Sequence, residues 1–240
     1  MSKRFRNYRD LFKGEGANSY SQLYADSSIE HQLSVIERRI CRELIKEGIK
    51  NRFVHLDFAC GTGRIMNFFS DLTELQIGID VSSDMLGIAR NCTKAKLILS
   101  ENYSEVVDSL NKEDTILISA FRFILNAEPR DVEDFVLFCE RILAVTGKCY
   151  LLINNHGNKH SLRTLTPGVL SQNGNVLNHK KFQRKLISLN FRVIATREMQ
   201  LLPSGILRII PFLIKVEKRV GMCRMFRFGI NKIYFGMISK

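Results

Sequence analysis

The sequence predicts an α/β fold: a doubly wound, mostly parallel sheet with helices on both faces. Two observations carry that expectation. Short apolar runs alternate with segments of helical period through most of the 240 residues, the pattern of a parallel sheet covered on both sides. The first apolar run ends in a glycine-rich turn that opens a helix, as ligand-binding sheets of this class do.

The elements follow in order. Residues 28–47, SIEHQLSVIERRICRELIKE, set Ile29, Leu33, Ile36, Ile40 and Leu44 on one helical face, and Gly48 is a stop just past its end. RFVHLDFA (52–59) is a strand, followed by the glycine turn and a helix over 64–72. LQIGID (75–80) is a second strand, residues 83–92 its helix, and KAKLILS (94–100) a third strand. DTILISAF (114–121) and KCYLLINN (148–155) are strands either side of a long helix at 131–144. A helix at 178–190 precedes the strand FRVIATREMQLL (191–202), and INKIYFGMIS (230–239) closes the chain as a last strand. With no internal repeat and no low-complexity linker, residues 1–240 are expected to form one domain. Within it we expect an N-terminal helical segment (1–50), a ligand-binding core (51–155) and an insert at 201–229.

Composition narrows the functional classes. Hydrophobic residues make up 45% and charged residues 25%, an ordinary globular balance. No stretch is long and apolar enough for a membrane span, and no apolar run follows the basic start, so a cytoplasmic protein is expected. Cysteines 41, 60, 92, 139, 149 and 223 are scattered without a CxxC pair, so they read as reduced thiols and no metal site is expected. The net charge of +12 points to an anionic partner: nucleic acid, an acidic membrane surface or a phosphate-bearing substrate. The excess is concentrated at residues 1–13 and 203–240.

The stretch FVHLDFACGTGR (53–64) carries the chemistry. Gly61 and Gly63 fall at the carboxyl end of the first strand, where a ligand can approach the backbone without meeting a Cβ. The helix behind them offers free N–H groups. Asp80, ending the second strand, lies where a carboxylate can accept ribose hydroxyls. A dinucleotide site would want a third glycine, but Met66 stands there, and no tyrosine is followed four residues on by a lysine.

LDFACGTGR, IGIDVSSDML and the run from DTILISAF to KCYLLINN together resemble the class I S-adenosylmethionine-dependent methyltransferases, over roughly residues 50–155. The resemblance implies a seven-stranded Rossmann-like sheet whose last strand is antiparallel, and S-adenosyl-L-methionine as cofactor. It implies that Asp57 helps hold the methionine ammonium beside the backbone of Ala59, Cys60, Gly61 and Gly63. A buried carboxylate needs such a cationic partner. It further implies Asp80 as ribose acceptor, Val81 and Met85 against the adenine, Glu101 or Asn102 at the adenine amine, and Ser119 and Ala120 beside the methionine. The N-terminal segment (1–50), with Tyr20 and Tyr24, would fold over the cofactor as a lid, or these tyrosines would pack on the sheet edge. The Asn/Asp-Pro-Pro-Tyr sequence of adenine-modifying members is replaced by SAFRF, which weakens a nucleic-acid substrate.

Transfer from a sulfonium needs mainly in-line placement of the acceptor. Arg122 can clamp a phosphate or carboxylate, or make a structural ion pair, and His156 can take a hydroxyl proton near neutral pH. The basic, proline-broken insert at 201–229 is compatible with an interfacial helix pair or with a lid packed on its own domain. The reading is O-methylation of a small molecule or glycan, lipid-linked in one version, beside the inner face of a membrane. The alternatives are an RNA methyltransferase using the basic surface and a catalytically silent binding module of the same fold.

Overall fold

The structure, a computed structural model, describes residues 12–24, 28–123, 127–155, 187, 190–202, 204–220 and 229–239. The first helices are α1 (Glu15–Gln22) and α2 (Ile29–Ile45), with β1 (Phe53–Phe58), α3 (Met66–Phe69), β2 (Thr73–Asp80), α4 (Ser83–Cys92) and β3 (Lys96–Leu99) after them. A 3₁₀ turn at Ser100–Asn102 leads to α5 (Ser104–Asp108), β4 (Ile116–Ala120), α6 (Pro129–Thr146), β5 (Lys148–Asn155) and β6 (Arg192–Met199). Then come α7 (Ser204–Ile209), a 3₁₀ turn at Pro211–Leu213, α8 (Ile214–Val220) and β7 (Asn231–Ser239).

The strands form a seven-stranded sheet in the order β3-β2-β1-β4-β5-β7-β6, with β7 antiparallel to both neighbours, as expected. The chain runs outward from β1 to β3 and then crosses back to β4, so β1 and β4 flank the point where the order reverses. Pairing across that point is parallel, with Leu56 against Ile118 and Asp57 against Ser119.

Strand pleating divides the core between two faces. Val54, Leu56, Phe58, Ile116 and Ile118 meet Phe135, Phe138, Cys139 and Ile142 of α6. On the other face Phe53, Leu117, Leu152 and Phe235 meet Leu33, Ile36, Ile40 and Leu44 of α2. Helix α2 starts at Ser28, whose hydroxyl accepts the His31 N–H, and α6 starts with a capping box between Glu128 and Asp131. Gly147 ends α6 in the left-handed region at φ 73°.

Several boundaries differ from the sequence expectation. The helix expected over 64–72 shrinks to α3, because Arg64 turns back toward α2 and β2 already begins at Thr73. Helices α1 and α5 are additional. The helix expected at 178–190 lies almost wholly outside the described residues. In the insert, Leu207 and Ile214 pack under the sheet edge with Leu202 and Leu213, while Glu217 caps the backbone N–H groups of Leu201 and Leu202.

Candidate active site

The glycine turn is held in a left-handed conformation at Ala59 (φ 57°), Gly61 (φ 55°) and Gly63 (φ 81°). A Cβ on Gly63 would press on Thr93 Cγ2 at 3.2 Å and Met66 Cε at 3.3 Å, whereas one on Gly61 would meet nothing within 4 Å. Gly61 therefore presents bare backbone to the cleft it lines. Ala59 takes the same conformation at a steric cost that glycine avoids, and the Cys60 N–H to Ile79 C=O bond of 3.0 Å pins the turn to β2.

Asp80 locks the turn from the other side. Its Oδ2 accepts from the Gly61 N–H at 2.8 Å and its Oδ1 from the Ser82 N–H at 2.9 Å. Burial raises its carboxyl above the usual range, against these backbone donors. Each oxygen keeps a lone pair for a ligand hydroxyl.

Asp57 is 1% exposed. Its Oδ1 accepts the Ser119 hydroxyl, while Oδ2 is buried with no protein partner. Behind Ser119 runs a chain of donors. His55 Nε2 lies 2.8 Å from Ser119 Oγ, Gln76 Nε2 lies 3.2 Å from His55 Nδ1, and Gln76 also donates to the Met66 carbonyl at 2.8 Å. Since the Ser119 hydroxyl donates its hydrogen bond to Asp57, His55 donates through Nε2 and accepts at Nδ1. Burial pushes the His55 pKa down to about 3, so the ring is neutral. Burial pushes the Asp57 carboxyl up to about 7, against the opposing pull of Ser119 and Arg64, while Asp80 adds to the rise. An isolated buried carboxylate oxygen is costly. A cation in the cleft relieves that cost.

A polar cluster backs the other wall. Arg64 Nη1 donates to Ser34 Oγ at 3.0 Å and to Glu37, itself 2% exposed. Asn154 and Asn231 amides reach Glu37 Oε1 at 3.3 and 3.1 Å. Asn154 Oδ1 accepts the Arg122 N–H at 2.6 Å, holding Arg122 in a left-handed conformation at φ 56°. The Tyr24 ring touches both guanidinium groups, with Arg64 at 4.9 Å and Arg122 at 5.4 Å from its centroid.

N-terminal residues border the cleft. Ser82 Oγ donates to the Phe12 carbonyl at 2.7 Å, and the Gly14 N–H donates to Asp84 Oδ2 at 2.7 Å. Phe12 and Tyr20, in edge contact at 5.3 Å, line the cleft. Tyr24, the other expected lid tyrosine, instead sits behind Arg64 and Arg122 with its hydroxyl buried and without a hydrogen-bond partner.

The structure thus brings Asp57, Ala59, Cys60, Gly61, Asp80, Val81, Met85 and Arg122 onto one cleft, with Gly63 shaping it from behind and Ser119 acting through Asp57. Ala120 is fully buried under it. A second cavity of about 150 Å³ adjoins it beyond Val81, walled by Phe58, Tyr103 and Phe123 with Ser100, Asp131 and Asp134 as polar groups. Glu101 and Asn102 point to solvent and line neither space. His156 lies outside the described residues. Sequence reasoning missed Phe12, Arg64, Tyr103 and Phe123. Only Arg64, directly after the second turn glycine, carried a positional signal.

No protein-family model matches the chain. An uncharacterized protein of Methanocaldococcus jannaschii is 31% identical over 105 residues, a match spanning 44% of this chain and 36% of that protein. Among solved structures, a SAM-dependent methyltransferase from Archaeoglobus fulgidus superposes with TM-score 0.57 at 16% identity, covering 91% of this chain and 99% of that one. Magnesium protoporphyrin IX methyltransferase from Synechocystis PCC 6803 with bound SAM gives TM-score 0.58 at 12% identity, with 100% of each chain covered. The plantazolicin methyltransferase BamL, in complex with a triazolic desmethylPZN analog and SAH, gives TM-score 0.56 at 11% identity over 98% of this chain and 95% of that one. Strand order, the antiparallel β7 and these superpositions agree: the chain has the fold of the class I S-adenosylmethionine-dependent methyltransferases.

Proposed function

We propose that the chain is an S-adenosylmethionine-dependent methyltransferase acting on an oxygen of a small molecule or glycan, lipid-linked in one version. The observation that carries the cofactor assignment is the buried, partnerless Oδ2 of Asp57 beside the bare backbone of Gly61. That pair suits an ammonium and a carboxylate-bearing chain lying along the turn. When bound, the cofactor supplies an activated methyl group.

The residues divide the remaining work. Asp57 holds the ammonium, oriented by Ser119, His55 and Gln76. Asp80 takes the ribose hydroxyls while keeping the turn closed. Val81 and Met85, with the cavity walled by Tyr103 and Phe123, receive the base. Phe12 and Tyr20 exclude water from the methyl donor, which strengthens the polar contacts inside. Arg122 faces the cleft from the end of β4 with its main chain fixed by Asn154, so it orients an anionic group of the acceptor. Its guanidinium offers donors only and no acceptor, so its role is to hold rather than to take a proton. His156, next after β5 in the chain, is our candidate to take the hydroxyl proton.

Calorimetry of S-adenosylhomocysteine and of NAD, with wild type and Asp80→Ala, tests the cofactor assignment. Two hydrogen bonds to a charged group give on the order of 3 kcal/mol, so the variant should bind the homocysteine analogue about a hundredfold more weakly. Binding of NAD without the analogue would sink the proposal.

A further inference from the structure

The segment after β6 has two unlike sides. Leu207, Ile214 and Glu217 point inward and are buried. The outer side exposes Ile206 (37%), Ile209 (81%), Ile210 (48%), Phe212 (66%) and Val216 (38%). Large apolar side chains this exposed, clustered within residues 206–216, are uncommon on a solvated surface and mark an interaction site. Lys215, Lys218 and Arg219 are exposed around them, and Lys215 Nζ lies 5.3 Å from the Phe212 ring centroid. Glu217 is the one acid in residues 201–229, and it is turned into the protein to cap two backbone N–H groups. The outward charge of α8 is therefore cationic, and the apolar tip stands among those cations.

Topology places this ridge at the carboxyl edge of the sheet, the edge that carries the cleft. β6 is antiparallel to β7, which is antiparallel to β5, so β6 ends at the same edge of the sheet as β4 and β5. Arg208 of α7 pairs with Glu30 in the first turn of α2, the helix whose Ser34 and Glu37 hold Arg64. The ridge is thus braced to the wall of the site.

We propose that the ridge is a docking face for an anionic lipid surface, with Ile209, Ile210 and Phe212 entering the acyl boundary and Lys215, Lys218 and Arg219 meeting the headgroups. The charge complementarity selects this occupant. An apolar tip alone fits any greasy partner, but a tip ringed by cations with its acid withdrawn fits a negatively charged interface. Docking there turns the carboxyl edge of the sheet, and so the cleft, toward the lipid. The docking does not depend on methyl transfer.

The test is co-sedimentation of the full chain with phosphatidylcholine vesicles, neutral or doped with phosphatidylglycerol. Wild type should partition to the doped vesicles only. The pair Ile209→Asp, Phe212→Asp should lose at least about tenfold, since two apolar side chains no longer enter the boundary. Lys215→Glu and Lys218→Glu should each cost about fivefold or more, and added salt should weaken wild type. A circular dichroism spectrum unchanged from wild type shows that the variants are folded. The chain has no tryptophan, so Phe212→Trp gives a single reporter whose emission should shift to the blue with doped vesicles alone. Absence of partition at low salt, partition undiminished in the double aspartate variant, or a tryptophan emission that ignores the vesicles overturns the proposal. So does a solution dimer that the same aspartates dissolve, which would assign the ridge to a second copy of the chain.

Discussion

Ser119 donates its hydroxyl hydrogen to Oδ1 of Asp57 across the β1–β4 register, and Oδ2 of the same carboxylate is left buried without a partner. One oxygen is thereby fixed and the other aimed. The donor chain from Gln76 through His55 and Ser119 ends at this carboxylate, so its orientation is set before any ligand arrives.

The first prediction follows from the Asp57 pKa near 7. A ligand ammonium selects the ionised carboxylate, so binding near pH 6 should release a proton. S-adenosylhomocysteine affinity should rise with pH up to about 7 and level off above it. Below that it should fall by up to about tenfold per pH unit. Asp57→Asn should bind more weakly, with that dependence gone. Calorimetry in buffers of different ionisation enthalpy reads the proton directly. An affinity independent of pH in wild type refutes the assignment.

A second prediction concerns stability, where His55 and Asp57 oppose each other. The His55 pKa is lowered to about 3 and that of Asp57 raised to about 7. Between about pH 4 and 6.5 the unfolded chain carries a protonated imidazole and an ionised carboxylate. The folded chain carries the proton on Asp57 instead. The two states then bind equal numbers of protons at this pair, and its contribution to the pH slope vanishes. Asp57→Asn leaves His55 alone, so the unfolded state binds one proton more and stability should rise with pH. His55→Asn leaves Asp57 alone and should reverse the sign. Relative to wild type each slope should approach roughly 1.4 kcal/mol per pH unit. Urea midpoints across that range measure it, and parallel curves for all three proteins would refute it.

The two turn glycines should fail differently. Alanine at either strains a left-handed backbone, costing about 1–2 kcal/mol. At Gly63 the new methyl also presses on Thr93 and Met66, so the loss should appear mainly as stability. At Gly61 the protein leaves the methyl open space, which is the ligand's side of the turn. Gly61→Ala should therefore lose more S-adenosylhomocysteine affinity and less stability than Gly63→Ala. Thermal denaturation beside calorimetry separates them, and equal affinity losses would contradict this division.

The parts of the site that were legible in the sequence are those set by one strand end. Asp57, Gly61 and Asp80 each lie within a few residues of an apolar run, and the structure brings all three onto one cleft. Glu101 and Asn102 were misplaced because Ser100–Asn102 is a 3₁₀ turn. With three residues per turn, Ser100 and Tyr103 share a side while the two residues between them face away. The Arg64–Glu37 cluster was illegible for another reason. Its members come from α2, the glycine turn, β5 and β7, and Glu37 follows Ile36 within a helix whose period announces only its apolar face. Nothing local marks a helix glutamate as buried; its partners lie up to 194 residues away in the chain.

That cluster yields the last prediction. Arg64 and Glu37 side chains are 13% and 3% exposed, so the pair is an interior one. Removing one partner of such a pair strands the other charge, which costs about 3–5 kcal/mol, whereas an exposed pair is worth less than about 1 kcal/mol. Arg64→Met should accordingly lower the urea midpoint steeply by taking the guanidinium away from the buried Glu37 carboxylate. Adding Glu37→Gln should restore much of the loss, because Gln keeps a carbonyl oxygen for Asn154 and Asn231 while carrying no charge. The recovery is the informative part. If the double variant is no more stable than Arg64→Met, the cost lies in lost packing against Tyr24 and Phe68, whose rings Arg64 covers at 4.9 and 5.3 Å, and not in a stranded charge.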